Sequence, residues 1–146
     1  MYEIHTEIEI SSSARKVWSV LVNFTQHASW NPFIREIDGV PTVGTRLKVS
    51  LKTPDGKSMT FHPTVIAAVP DRELRWLGRL VIPGLFDGEH YFQIIPCGSD
   101  KVRFIQGEKF SGLLVGFLKS SLDNDTRAGF DALNRAIKIR VESGES

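Results

Sequence analysis

Residues 123–143 read DNDTRAGFDALNRAIKIRVES. Small or apolar residues recur at Leu122, Thr126, Gly129 and Phe130, Leu133, Ala136 and Ile137, and Val141. That three-and-four spacing marks one face of a helix. Arg127, Asp131, Asn134, Arg135, Lys138 and Glu142 are assigned to the opposite face. This is the longest helical pattern in the chain, and it comes last. Between Arg46 and Phe110 nearly everything alternates with the period of a strand. A sheet with one apolar face must be covered, and this helix is the available cover.

Working outward, Tyr2 to Ile10 is a half-buried strand, with Ile4, Thr6, Ile8 and Ile10 inward and Glu3, His5, Glu7 and Glu9 outward. Ser11 to Ser13 supply helix caps for a short helix from Ala14 to Val22, with Val17, Trp18, Leu21 and Val22 inward. A second short helical turn over Asn23 to Ser29 leads to Trp30-Asn31-Pro32-Phe33, where Pro32 stops it. Strands follow at Phe33–Ile37, Thr45–Leu51, Ser58–Val69, Leu74–Ile82, Phe86–Ile95 and Lys101–Phe110. Pro54-Asp55-Gly56-Lys57 signals a hairpin. Pro63 inside a strand signals an edge or a bulge. Gly78, Gly84, Gly88 and Gly107 read as sheet bends or bulges. The expected class is α+β: a curved antiparallel sheet of about six to seven strands around a long C-terminal helix, with two short helices after the first strand. Residues 1–146 are expected to form a single domain.

The totals exclude several roles. Eighteen basic residues stand against 17 acidic ones, a net charge of +1, so no nucleic-acid partner is expected. No apolar run approaches the roughly 20 residues of a membrane span. The acidic, alternating N-terminus is unlike a secretory signal, and the single cysteine, Cys97, allows no internal disulfide. A cytoplasmic location is the resulting expectation. Four scattered histidines (His5, His27, His62 and His90) lack ligand spacing, so no metal and no cofactor are expected. No phosphate-binding glycine loop or nucleophile elbow stands out.

Three signatures carry a resemblance. They are Ala14 to Leu21 after the first strand; Trp30-Asn31-Pro32-Phe33-Ile34 followed by Gly44-Thr45-Arg46; and Gly88-Glu89-His90-Tyr91-Phe92 followed by Gly107 to Leu114 and Phe130…Asn134…Ile137-Lys138. With the element order, they make the chain resemble the START-like or SRPBCC superfamily, in particular its polyketide cyclase/dehydratase-like branch. The resemblance covers nearly the whole chain. It implies the helix-grip fold and a cavity between the sheet and the long helix. It also implies binding of a small hydrophobic, lipid- or polyketide-like molecule, a cyclase or dehydratase activity, or a co-chaperone-like interaction module.

Within that frame, His90, Gln106 and Glu108 fall in phase with inward apolar positions on two adjacent strands. A polar group turned inward costs several kcal/mol unless it is paired or hydrated. A carboxylate beside an imidazole makes a candidate acid/base pair, so His90 and Glu108 are the candidate catalytic residues. Lining of a polar pocket and a purely structural hydrogen-bonded pair are the competing readings. Trp30, Phe61, Trp76, Phe92, Phe104 and Phe130 complete the candidate ligand-binding set with His90, Gln106 and Glu108. Arg75 and Arg79 read as solvated. Two segments are more apolar than a surface requires: Leu80 to Phe86, and Leu113 to Leu118. Each suits a lid over the cavity or a homodimer contact. Gly129 interrupts the inner helix face at a cost of about 1 kcal/mol relative to Ala, which room for a ligand or a close-packed strand would justify.

Overall fold

The computed structural model describes residues 2–54, 56–80, 86–113, 115–116 and 122–144. Among these, the chain forms β1 (Tyr2–Ile10), α1 (Ala14–Val22), a 3₁₀ turn (Phe24–Gln26), α2 (His27–Trp30), β2 (Ile34–Asp38), β3 (Lys48–Lys52), β4 (Ser58–Phe61), β5 (Thr64–Val69), β6 (Glu73–Leu80), β7 (Phe86–Pro96), β8 (Val102–Ser111), a π-helical turn (Leu122–Thr126) and α3 (Arg127–Glu142). Residues 81–85 of the suggested lid, and Leu114, Phe117 and Leu118 of the second apolar segment, lie outside the described residues.

All strand pairs are antiparallel. One sheet has the order β1-β8-β7-β6-β5, the other β2-β3-β4. Successive hairpins build β5 to β8, and β1 returns to close against β8 along its whole length, from Tyr2↔Phe110 to Ile10↔Val102. The two sheets are joined where Arg46 bridges Thr64, and where Leu47 N–H donates to the Pro63 carbonyl at 2.7 Å. The strand expected over Ser58–Val69 is therefore two strands. The chain leaves one sheet at His62-Pro63 and enters the other at Thr64, which raises the strand count to eight among the described residues. Proline has no donor for a ladder, so the break falls where none is required.

Local sequence explains the elements. The Ser13 hydroxyl accepts from Lys16 N–H at 3.2 Å and caps α1, whose Val17, Val20 and Leu21 are buried. Gly56, at φ +92°, supplies the turn between β3 and β4. Helix α3 packs against β1, β8 and α1. It buries Gly129, Phe130, Leu133, Asn134, Ile137 and Val141. Asn134, assigned to the outer face by its polarity, thus belongs to the inner one. It lies four residues after Phe130, on the same side of the helix.

Arg75 is also not simply solvated. Its guanidinium pairs with Glu73 at 3.3 Å and Glu89 at 2.5 Å, and stands 4.9 Å from the centre of the Tyr91 ring. Burial works to raise the Glu73 carboxyl, but hydrogen bonds from Gln93 and Arg75 outweigh it and hold it below the usual range.

Candidate functional site

Trp76, His90 and Glu108 stand in one row across three strands, because the register pairs Trp76 with His90 and His90 with Glu108. The strand period turns all three toward the helix side of the sheet. Beside this row lies a cavity of about 90 Å³, walled by Phe33, Phe61, Phe110, Gly78 and Gly88 together with Trp76, His90 and Glu108. Leu51, Thr53, Met59 and Thr126 form its mouth, and they are shared with an outer groove of about 270 Å³ that reaches Lys57 and Asp125. Cavity and groove together fall near the lower end of the range for ligand pockets, roughly 300–1,000 Å³. The Lys57 ammonium and the Asp125 carboxylate approach to 3.8 Å there, linking the β3–β4 turn to the start of the C-terminal helical segment.

The register runs unbroken through Gly78↔Gly88 and Tyr91↔Gly107, so these glycines are not bulges. Gly88 is glycine because of a close approach. A Cβ placed there would lie 2.2 Å from Glu108 Oε2. The missing side chain makes room for the carboxylate at the cavity wall.

His90 is buried, 4% exposed. Its Nδ1 lies 3.3 Å from Glu108 Oε1 and its Nε2 lies 3.0 Å from Gln106 Oε1. Rings of Phe92, Phe130 and Trp76 surround the imidazole, at centroid distances of 4.6, 4.9 and 5.2 Å. Gln106, fully buried, donates to the Phe130 carbonyl at 3.2 Å and to Asn134 Oδ1 at 2.8 Å. Asn134 donates to Thr6 Oγ1 at 2.8 Å, and the Thr6 hydroxyl donates to the Gln106 carbonyl at 2.7 Å. Thr6, Gln106 and Asn134, the buried polar side chains of β1, β8 and α3, thus all have partners, as buried polar groups require.

The trio expected from strand phase is brought together, but its members differ in position. His90 and Glu108 reach the cavity, whereas Gln106 stands behind His90. Phe61 and Trp76 line the cavity. Phe92, Phe104 and Phe130 do not: they are buried core, and their rings pack on one another and on His90. Trp30 lies elsewhere, over a groove with Ala136, Ile139, Arg140 and Ser143, its ring 4.7 Å from that of His27. The turn at Pro32 carries the chain away from Trp30 and presents Phe33 to the cavity instead. Phe33, expected to open the strand Phe33–Ile37, instead lies just before β2, and the short strand pattern did not mark it as a cavity residue. Phe110 and Leu51 carried the inward phase and were legible.

A second polar cluster places Phe33. Asn31 Oδ1 accepts from Phe33 N–H at 3.0 Å and Ile34 N–H at 2.9 Å. Its amide nitrogen therefore faces His27 Nδ1, at 3.1 Å, and His27 Nε2–H donates to the Leu21 carbonyl at 2.7 Å. Burial pushes the His27 imidazole down to about 4, with the Leu21 hydrogen bond acting the other way. Gly129 completes the clamp: a Cβ there would lie 2.3 Å from two atoms of the Phe33 ring. The gap in the helix face is filled by a phenyl ring of the chain itself.

Among the described residues no helix is long and apolar enough to cross a membrane. No curated protein matches the chain in sequence. Solved structures share the fold at low identity. A START superfamily protein from Mycobacterium smegmatis aligns at a TM-score of 0.70 and 19% identity, over 98% of this chain and 99% of that one. Norcoclaurine synthase from Thalictrum flavum, in complex with dopamine and hydroxybenzaldehyde, aligns at 0.75 and 18%, over 99% and 88%. The di-domain ARO/CYC StfQ from the steffimycin biosynthetic pathway aligns at 0.77 and 11%, over 97% of this chain and 51% of that one. A family model matches residues 1–138: the chain belongs to the family described as polyketide cyclase / dehydrase and lipid transport.

Proposed function

We propose that this protein binds a small, mainly apolar ligand between its two sheets, beside the start of its C-terminal helical segment, with the ring of the ligand against Trp76, Phe33 and Phe61 and its polar end at His90 and Glu108. The observation that carries the reading is an aromatic-walled cavity with one His–carboxylate pair in its wall. Ligand sites combine apolar walls with a few placed polar groups in this way. The inner volume, about 90 Å³, suits the edge of a small ring or the end of a longer molecule, the rest lying in the mouth. It is smaller than the roughly 150 Å³ of a dry cavity that takes benzene. A long acyl chain would have to extend into the outer groove. The family description and the aromatic compounds in the norcoclaurine synthase complex support the same reading.

The test is displacement of a fluorescent apolar dye by a panel of small aromatic and fatty compounds, with native mass spectrometry of the purified chain. Ring compounds are expected to compete best, and Leu51→Trp, which fills the mouth, is expected to block them. Unchanged displacement in that variant would place the ligand elsewhere.

A second reading is favoured by the His90 Nδ1–Glu108 Oε1 approach of 3.3 Å, which is within reach of proton exchange. Here the cavity orients a reactive, polyketone-like substrate and the pair moves its proton, as in a cyclase or dehydratase. Mass spectrometry separates the two readings, since a binder returns the compound unchanged. Turnover that survives both His90→Ala and Glu108→Gln removes the enzymatic one.

A further inference from the structure

Two backbone carbonyls give the buried network a direction. The Phe130 carbonyl can only accept, so the Gln106 atom facing it is the amide nitrogen. The Gln106 carbonyl accepts from Thr6, so Thr6 Oγ1 is the acceptor for the Asn134 amide, and Asn134 Oδ1 accepts from Gln106. Gln106 Oε1 is then the atom left for His90, and it too can only accept. His90 Nε2 must carry a proton. A neutral His90 therefore turns a bare Nδ1 toward Glu108 Oε1, 3.3 Å away.

Two atoms in this row lack partners among the described residues. The Trp76 indole N–H is buried with none. No donor is bonded to Glu108 Oε2, the oxygen seated over Gly88. The Trp76 N–H is a donor whose burial without a partner costs about 1–3 kcal/mol, and the Glu108 oxygen is an acceptor at the cavity wall. A hydroxyl group both gives and accepts a hydrogen bond.

We propose that Gln106 is a positioning residue that holds His90 as the Nε2–H form, so that Nδ1 faces Glu108 and the carboxylate keeps one oxygen open to the cavity, and that the ligand is a small ring bearing a hydroxyl group. The second half rests on the ligand-binding reading above; the first does not.

The imidazole nitrogens of the full chain are read by two-bond ¹H–¹⁵N correlation NMR. His90 is expected to show a protonated Nε2 throughout, with Nδ1 bare or protonated. A neutral ring carrying its proton on Nδ1 overturns the role of Gln106, and this measurement needs no variant. In Gln106→Leu the Nδ1–H form, donating to Glu108, is expected to emerge; a tautomer unchanged by that substitution also overturns it. For the ligand, 4-nitrophenol and nitrobenzene serve as probes that share a ring and differ by the hydroxyl. The wild type is expected to prefer 4-nitrophenol, and Trp76→Phe and Glu108→Gln each to reduce that preference about tenfold, the equivalent of one lost hydrogen bond. Equal binding of the two probes refutes the hydroxyl assignment while leaving the apolar cavity in place. Binding of neither removes both the hydroxyl assignment and the small-ring reading.

Discussion

Gly129→Ala separates two opposing effects. In an exposed helix the substitution would stabilise by about 1 kcal/mol. Here the new methyl would lie 2.3 Å from the Phe33 ring, against an optimum of roughly 3.5–4.0 Å between carbons. The ring must therefore move by more than about 1 Å. It has little freedom to do so. Phe33 is 3% exposed, its ring packs edge-on against Phe130 at 5.7 Å, and its backbone is tied to Asn31. Overpacking of this kind costs about 1–3 kcal/mol, and the helix gain offsets part of it. The expected net result is a loss of up to about 2 kcal/mol, seen as a lower urea midpoint with an unchanged slope. Phe33→Leu in the Gly129→Ala background should recover stability relative to the sum of the single changes, with a coupling above about 0.5 kcal/mol. Because Phe33 also walls the cavity, affinity for ring compounds should fall in the single variant. A gain in stability for Gly129→Ala would refute the clamp.

Gly88→Ala should behave differently. Its Cβ meets only the tip of the Glu108 side chain, at 2.2 Å from Oε2, so the carboxylate can swing aside at small cost to stability while ligand affinity changes; a large fall in melting temperature would contradict this. His27 predicts a pH dependence. The folded chain holds it neutral down to about 4, whereas the unfolded chain protonates it near 6.5, so the unfolded state binds more protons between those values. Stability is full above about pH 6.5 and falls toward pH 4, by up to about 3 kcal/mol; a His27→Gln variant with an unchanged slope in urea titrations across this window would exclude His27 as the cause. Asn31→Ala strips partners from Phe33 N–H, Ile34 N–H and His27, and should cost about 2 kcal/mol or more by denaturant unfolding.

Periodicity carried most of the architecture. Ile4 to Ile10, Leu74 to Gly78 and Val102 to Phe110 alternate, and a strand period leaves one choice of buried face. The long helix was legible for the same reason, and so were His90 and Glu108, as polar residues in apolar phase. Asn134 shows the limit of that reasoning. Its position places it inward and its polarity suggested outward, and only the presence of Gln106 and Thr6 opposite resolves the conflict. Trp30 and Phe33 show another limit. They flank a proline turn between two short elements, so chemistry alone favoured the larger ring, while the turn put the smaller one at the cavity.

The inner helix face returns the same division. The sequence by itself determined that residues 123–143 would form a helix covering a sheet, because three-and-four spacing is a local property of the chain. It also determined that Gly129 would leave a gap there. What fills the gap was decided only by tertiary structure: the Phe33 ring, held by Asn31 and His27, occupies it, and the open space lies one layer away, beside Trp76, His90 and Glu108. Backbone spacing fixes which way a residue points, whereas the neighbour it meets depends on segments far away in the chain, whose approach the local pattern does not encode.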